Sequence, residues 1–228
     1  MLLELAFTLL LTQTLNKIAH KTLCLKTIQM KIITNILSII IFTACSHNND
    51  NIPIDQLPAE TTTGANTAGC YINGKVLIPK NGKQAIGGSP YYGLIKSQGN
   101  NFWPNKNDYW QLEIANKKDS NGLGIILWIK NMQSGNGDYN IEQSNGELYA
   151  NGPNNNQIIA TIKENGVNKT YWSGANSGII KVTRSDLAIG VSIYSGIFSG
   201  TLYNIDNPSE TIHITEGRFD INGLTLNI

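Results

Sequence analysis

The sequence predicts an all-β fold, a single antiparallel domain packed as a β-sandwich or, alternatively, as one sheet curled into a β-barrel. Three observations predict it. Apolar residues recur with a period of two along much of residues 70–228, the spacing that places them on one face of a strand. Glycine-rich and Asn-Gly clusters separate these stretches at short intervals, and such residues supply the backbone angles that turns need. No run after Cys45 sustains a 3.6-residue period, which leaves no crossover helices for a parallel sheet.

Taken in order, Cys70 and Ile72, the pair Asn73-Gly74, then Val76 and Ile78 read as two short strands about a primed turn, since Asn-Gly accepts the positive φ values that turn demands. Trp110, Leu112 and Ile114 alternate with Gln111 and Glu113. In the next strand Ile125, Leu127 and Ile129 alternate with Ile126, Trp128 and Lys130; it is apolar on both faces and is expected to be central. Further strands are expected at residues 139–143, 147–150, 158–163, 169–172, 179–183, 191–194, 198–205, 211–219 and 224–227. The turn clusters between them include Asn121-Gly122, Asn145-Gly146, Asn165-Gly166 and Asn222-Gly223. Residues 173–178 and 195–200 read as Gly-Ser turns leading into strands. A domain of about 160 residues is long enough to bury roughly two-thirds of its unfolded surface in one core.

The N-terminal portion carries a different signal. Met30-Lys31 is followed by an apolar run from Ile32 that ends in Phe42-Thr43-Ala44-Cys45-Ser46. The run falls short of the roughly 20 residues that span a bilayer but suits a secretory h-region of about 7–15. Small residues before a cysteine fit signal-peptidase cleavage followed by acylation of the Cys45 thiol. We therefore expect a lipoprotein signal over residues 30–44, with Met30 as initiator and residues 1–29 an upstream mis-start or an extended n-region. Residues 45–69 then comprise the lipidated cysteine and a flexible linker, because Asn, Thr, Pro and Gly dominate there and offer little to bury. The β domain occupies residues 70–228.

With that linker leading in, the motifs Leu57-Pro58-Ala59-Glu60-Thr61-Thr62-Thr63-Gly64, Gly69-Cys70, Ile72-Asn73-Gly74-Lys75-Val76 and Gly217-Arg218-Phe219-Asp220 resemble those of a family of exported Bacteroidota lipoproteins of unknown function. The likeness spans residues 30–228, with the segment 195–202 its closest part in the middle. The resemblance implies a one-domain, β-rich protein lipid-anchored to the cell envelope, in the outer membrane. It implies no activity and carries no catalytic or ligand residue across.

Composition narrows the chemistry. After Cys45 the chain holds 13 Lys and Arg against 15 Asp and Glu, a formal charge of −2. Its longest basic run is Lys117-Lys118, so it lacks the clustered cations of a nucleic-acid surface. An acylated Cys45 leaves Cys70 alone in the mature domain, which therefore holds no internal disulfide; Cys70 reads as a small buried hydrophobe. Of the three histidines only His213 lies in the domain, where it reads as a solvent-side or cross-strand residue. No cofactor motif is present. Asp119-Ser120-Asn121-Gly122 resembles part of a calcium loop but lacks the later ligands and terminal glutamate, and reads as an Asx turn. Arg218 and Asp220 fall on one face of a strand, where they can pair with each other or with neighbouring strands.

Two functional classes remain. The first is a non-enzymatic, monomeric binding or interaction module whose partner is a glycan or an envelope protein. Its candidate contacts are Tyr91, Tyr92, Phe102, Trp103 and Tyr109, in and before the segment 99–110, because aromatic faces cover the apolar C–H face of a sugar while nearby amides meet its hydroxyls. Trp103 is the leading choice, and Trp110 is assigned to the core. The second class is a glycan-acting hydrolase using two carboxylates drawn from Asp108, Glu113, Glu147, Asp186, Glu216 and Asp220. If Cys45 is the acylated residue, Cys45→Ser abolishes palmitate labelling and releases the protein from membranes; equal labelling of wild type and variant contradicts the signal.

Overall fold

The computed structural model describes residues 55–83, 91–99, 108–118, 123–130, 132, 135–186 and 192–227. Cys45, Phe102, Trp103 and the segment 119–122 lie outside them. The strands are β1 (Thr67–Ile72), β2 (Lys75–Leu77), β3 (Leu94–Gly99), β4 (Tyr109–Ala115), β5 (Gly124–Lys130), β6 (Gly137–Ile141), β7 (Gln157–Glu164), β8 (Val167–Asp186), β9 (Ile193–Asn204) and β10 (Thr211–Asn222). They form one sheet in the order β2-β1-β10-β9-β8-β7-β5-β4-β3, with β6 added beside β8. Every strand-to-strand ladder is antiparallel. The domain is thus all-β, and of the two expected packings it takes the single curled sheet, a half-barrel.

The curl follows from what each strand must bury. Trp110 of β4 packs against Tyr194 of β9 and Phe219 of β10, with ring centroids 5.5 and 5.3 Å apart, although these strands are far apart in the sheet order. Only a sheet wrapped around its own apolar face brings them together. Leu112, Ile114, Ile125, Leu127, Ile129, Ile158, Ile180, Leu202 and Ile214 fill the same interior. Near the open seam the chain after β2 meets the end of β4, the Lys80 N–H donating to the Ala115 carbonyl at 3.0 Å and the Lys117 N–H to the Lys80 carbonyl at 2.8 Å.

β5 is flanked by β4 and β7, the central position expected of a strand apolar on both faces. Its outer residue Trp128 is buried because Tyr109 stacks on it, with ring centroids 6.2 Å apart, and a 3-10 turn at Tyr149–Asn151 covers it, the indole N–H donating to the Tyr149 carbonyl at 3.1 Å. The Asn73-Gly74 and Asn165-Gly166 turns carry positive φ at both residues, the condition for a primed hairpin turn.

Several expected boundaries shift. β8 unites the strands expected at 169–172 and 179–183, and β9 unites those at 191–194 and 198–205, so the two Gly-Ser segments are strand and not turn. β3 carries only the adjacent pair Leu94-Ile95 and no alternation, so its sequence gave no period-two signal; as an edge strand it needs none. Residues 147–150 form no strand, since they cap Trp128, and 224–227 form turns.

The linker expectation, drawn over residues 45–69, is corrected over residues 55–69, the last three of which begin β1. Residues 55–66 lie on the sheet, tied down by the buried carboxylate of Asp220. Asp220 accepts from Thr61 Oγ1 at 2.6 Å, from the N–H groups of Thr63, Gly64 and Ala65 at 2.9, 2.8 and 3.1 Å, and from Ser195 Oγ at 2.6 Å. Arg184 donates to the Thr62 carbonyl, and Lys80 pairs with Asp55 at 2.5 Å. Polar composition concealed this attachment because it works through hydrogen bonds and not through apolar burial. Of the two pairings open to Arg218 and Asp220, the mutual one does not form: Asp220 bonds Ser195 of neighbouring β9, and Arg218 turns to Glu216 at 3.3 Å and to the Pro58 carbonyl at 3.3 Å.

Burial pushes the Asp220 carboxyl upward, but the hydrogen bonds from Ser195, Thr61, Ala65 and Gly64 outweigh it and hold it down at about 2. An unfolded aspartate titrates at about 3.9. Its folded-state contribution, on the order of 2 kcal/mol, is therefore complete above about pH 4 and is lost as pH falls through 2. Asp220→Asn should destabilise the domain by about 2–4 kcal/mol and flatten that acid limb in denaturant titrations. In a chain starting at Thr67, which keeps Ser195 but lacks the donors of residues 61–65, the same substitution should cost much less; equal costs in both backgrounds contradict the clamp.

Candidate functional site

Of the aromatic candidates, Tyr91, Tyr92 and Tyr109 are described. Tyr91 is 65% exposed, and its carbonyl accepts from the Gly82 N–H at 2.8 Å. It and Tyr92 precede β3, whereas Tyr109 pairs with Gly99 at the other end of that strand. Six residues of β3 at about 3.3 Å each place the two sites roughly 20 Å apart. The structure therefore does not bring the three tyrosines together, and Tyr109 serves to cover Trp128.

Most of the carboxylate candidates are taken up by partners. Glu113 pairs with Lys117, Asp186 with Arg184, and Glu216 with Arg218; Asp220 is enclosed by residues 61–65. Asp108 has one buried oxygen without a partner, but the space it lines beside Trp110 and Tyr194 is about 10 Å³, far below the 300 Å³ or so of a small-molecule site. His213 is exposed, its Nδ1 lying 3.1 Å from Thr201 Oγ1. Burial pushes the Cys70 thiol up to about 12, which keeps it protonated and unreactive. Among the described residues no three His, Cys, Asp or Glu side chains group to hold a metal ion.

A groove of about 490 Å³ instead opens on the outer face of the sheet, between Trp172 of β8 and its pairing partner Tyr203 of β9. It arises from the register. Ser173 pairs with Leu202 and Gly178 with Gly200, so residues 174–177 bulge out of the ladder, with Asn176 at φ +51°. Because faces alternate, Tyr171, Ser173, Leu202 and Asn204 are buried while Trp172 and Tyr203 point outward. Gly146 and Gly174 permit close backbone approach to the two rings: a Cβ there would lie 2.3 Å from the Trp172 ring and 2.9 Å from the Tyr203 ring.

Both walls are fixed by polar networks, one of them buried and the other centred on the partly exposed Glu210. On one side Ser173 Oγ donates to the Glu142 carbonyl at 2.8 Å and accepts from the Ile158 N–H at 3.2 Å. Ser144 bonds Gln157, whose Nε2 donates to the Glu147 carbonyl at 2.5 Å. This network holds the loop that carries Gln143 and Gly146. The bulge is pinned from the same loop, the Asn176 N–H donating to Glu142 Oε2 at 3.1 Å.

On the other side Glu210 gathers Lys169 Nζ at 2.7 Å, the Tyr171 hydroxyl at 2.5 Å and Asn204 Nδ2 at 3.0 Å, fixing the β9–β10 turn that contributes Ile205 and Pro208. The Lys169 ammonium, then the Tyr171 hydroxyl, hold the Glu210 carboxyl below its ordinary value. Burial, then the bond to Glu210, push the Tyr171 hydroxyl up to about 12. Satisfied networks of this kind rigidify what they support. The Trp172 indole N–H and the Tyr203 hydroxyl bond to no described residue.

Sequence analysis missed this groove because Trp172 and Tyr203 are 31 positions apart and each sits singly in a strand. The available signal was the Ser173–Gly178 segment, whose glycines and serines mark a bulge as well as a turn. Comparison with family models, with curated proteins and with solved structures finds no match to this chain.

Proposed function

We propose that this protein is a non-enzymatic binding module, exported and lipid-anchored through Cys45 to the cell envelope, in the outer membrane, where it acts as a monomer. The observation that carries the binding reading is the groove itself. Two aromatic rings whose donors bond to no described residue stand on the solvent face of the sheet, held in place by polar networks that bring no acid into the groove lining. Sites of recognition concentrate in such settings, where a few convergent polar groups accompany aromatic surface. The lipid anchor rests on the signal sequence and on the resemblance to exported lipoproteins, and it would present this face to envelope or extracellular material.

The test uses the full chain with Cys45→Ser, added to envelopes isolated from cells that lack the protein. Binding should be saturable, should weaken when Tyr203→Ala is added, and should release no reducing ends. Release of reducing sugars would instead support the hydrolase, and binding that neither saturates nor responds to Tyr203→Ala contradicts the module.

A further inference from the structure

Resting on the reading that the groove is a binding site, we propose that its ligand is an uncharged carbohydrate, a sugar stacked on Tyr203 and Trp172. Charge decides the ligand class. The groove is lined by Gln143, Trp172, Ser173, Gly174, Ala175, Tyr203, Asn204, Ile205 and Pro208, with no charged side chain among them. A second groove of similar size, about 500 Å³, contrasts with it: Glu60, Asp138, Lys181, Glu216 and Arg218 line that one, and it would meet a neutral polyol with desolvated charges of both signs. An acidic glycan entering the first groove would lose water without gaining a cation, a cost that a neutral sugar does not carry.

The polar groups on offer match hydroxyls. The indole N–H of Trp172 donates only, the Tyr203 hydroxyl donates and accepts, and the exposed Gln143 brings an amide that does both. Residues 174–177 lie outside the β8–β9 pairing, so the bulge adds backbone groups not used in that ladder. Tyr203 is 39% exposed, so its ring already offers a face that the C–H side of a pyranose can cover. The volume falls within the roughly 300–1,000 Å³ of ligand sites, and the position on the outer face of the sheet suits a stretch of a polymer.

The experiment uses the full chain in a detergent without a sugar headgroup, titrated in parallel with soluble β-glucan, mannan and xylan, with polygalacturonate and heparin, and with a random peptide library. At least one neutral polysaccharide should bind, and the acidic ones should not. Tyr203→Ala should weaken that binding about tenfold or more, as loss of an aromatic anchor does, while the melting temperature moves by only about 2 °C. Trp172→Phe, which keeps a ring against Gly146, should retain part of the affinity. Binding of acidic glycans as tightly as neutral ones, or neutral binding indifferent to Tyr203→Ala, overturns the proposal. Peptide binding that depends on Tyr203, without glycan binding, overturns the carbohydrate assignment and leaves the module standing; failure of every probe overturns both.

Discussion

Between the pairs Ser173–Leu202 and Gly178–Gly200 the chain takes five steps along β8 and two along β9, and the fold has to place the three surplus residues somewhere. They cannot enter the interior, which is filled by Ile141, Tyr171, Ile180 and Leu202, so they bulge outward. That one mismatch lets β8 run for 20 residues with β7 beside its first half and β6 beside its second. It also sharpens the local bend of the sheet, as bulges do, and raises the wall against which Tyr203 stands. A surplus of three is odd, so strict alternation would turn β8 over; the bulge, with Asn176 at φ +51°, absorbs the odd step, so that Gly178 meets Gly200 in register and Ile180 and Val182 face inward.

A second constraint acts at the other side of the sheet. Asp220 sits between the inward residues Phe219 and Ile221 on β10, and a carboxylate there requires donors. They come from residues 61–65 and from Ser195. The folded chain therefore includes residues ahead of the first strand, docked through 61–65.

Period-two alternation made the strands legible wherever a strand buries one face: β4, β5, β7 and β10 stand close to their expected positions. It failed where other physics rules. β3 lies at an edge and has no alternation to show. The joins inside β8 and β9 are Gly-Ser sequences that serve strand, bulge and turn alike, so residue type alone could not separate them. The docking of residues 55–66 rests on hydrogen bonds to a residue more than 150 positions away, and local composition holds no trace of it. The groove was hidden for a related reason: its rings belong to separate strands and meet only through register. Aromatic density along the chain drew attention to Tyr91, Tyr92 and Tyr109 instead, which the sheet then places a strand's length apart.

In the proposed binding module the β8 bulge raises one wall of the groove. Removing Ala175, Asn176 and Ser177 tests it most directly, since this brings Gly174 opposite Thr201 and Gly178 opposite Gly200 in an uninterrupted ladder. The measurement is the affinity of the shortened full chain for the neutral polysaccharide that binds the wild type, taken alongside its melting curve. A cooperative β-sheet transition within a few degrees of wild type, with affinity reduced about tenfold or more, is the predicted result. Unchanged affinity in a folded, shortened chain would contradict it.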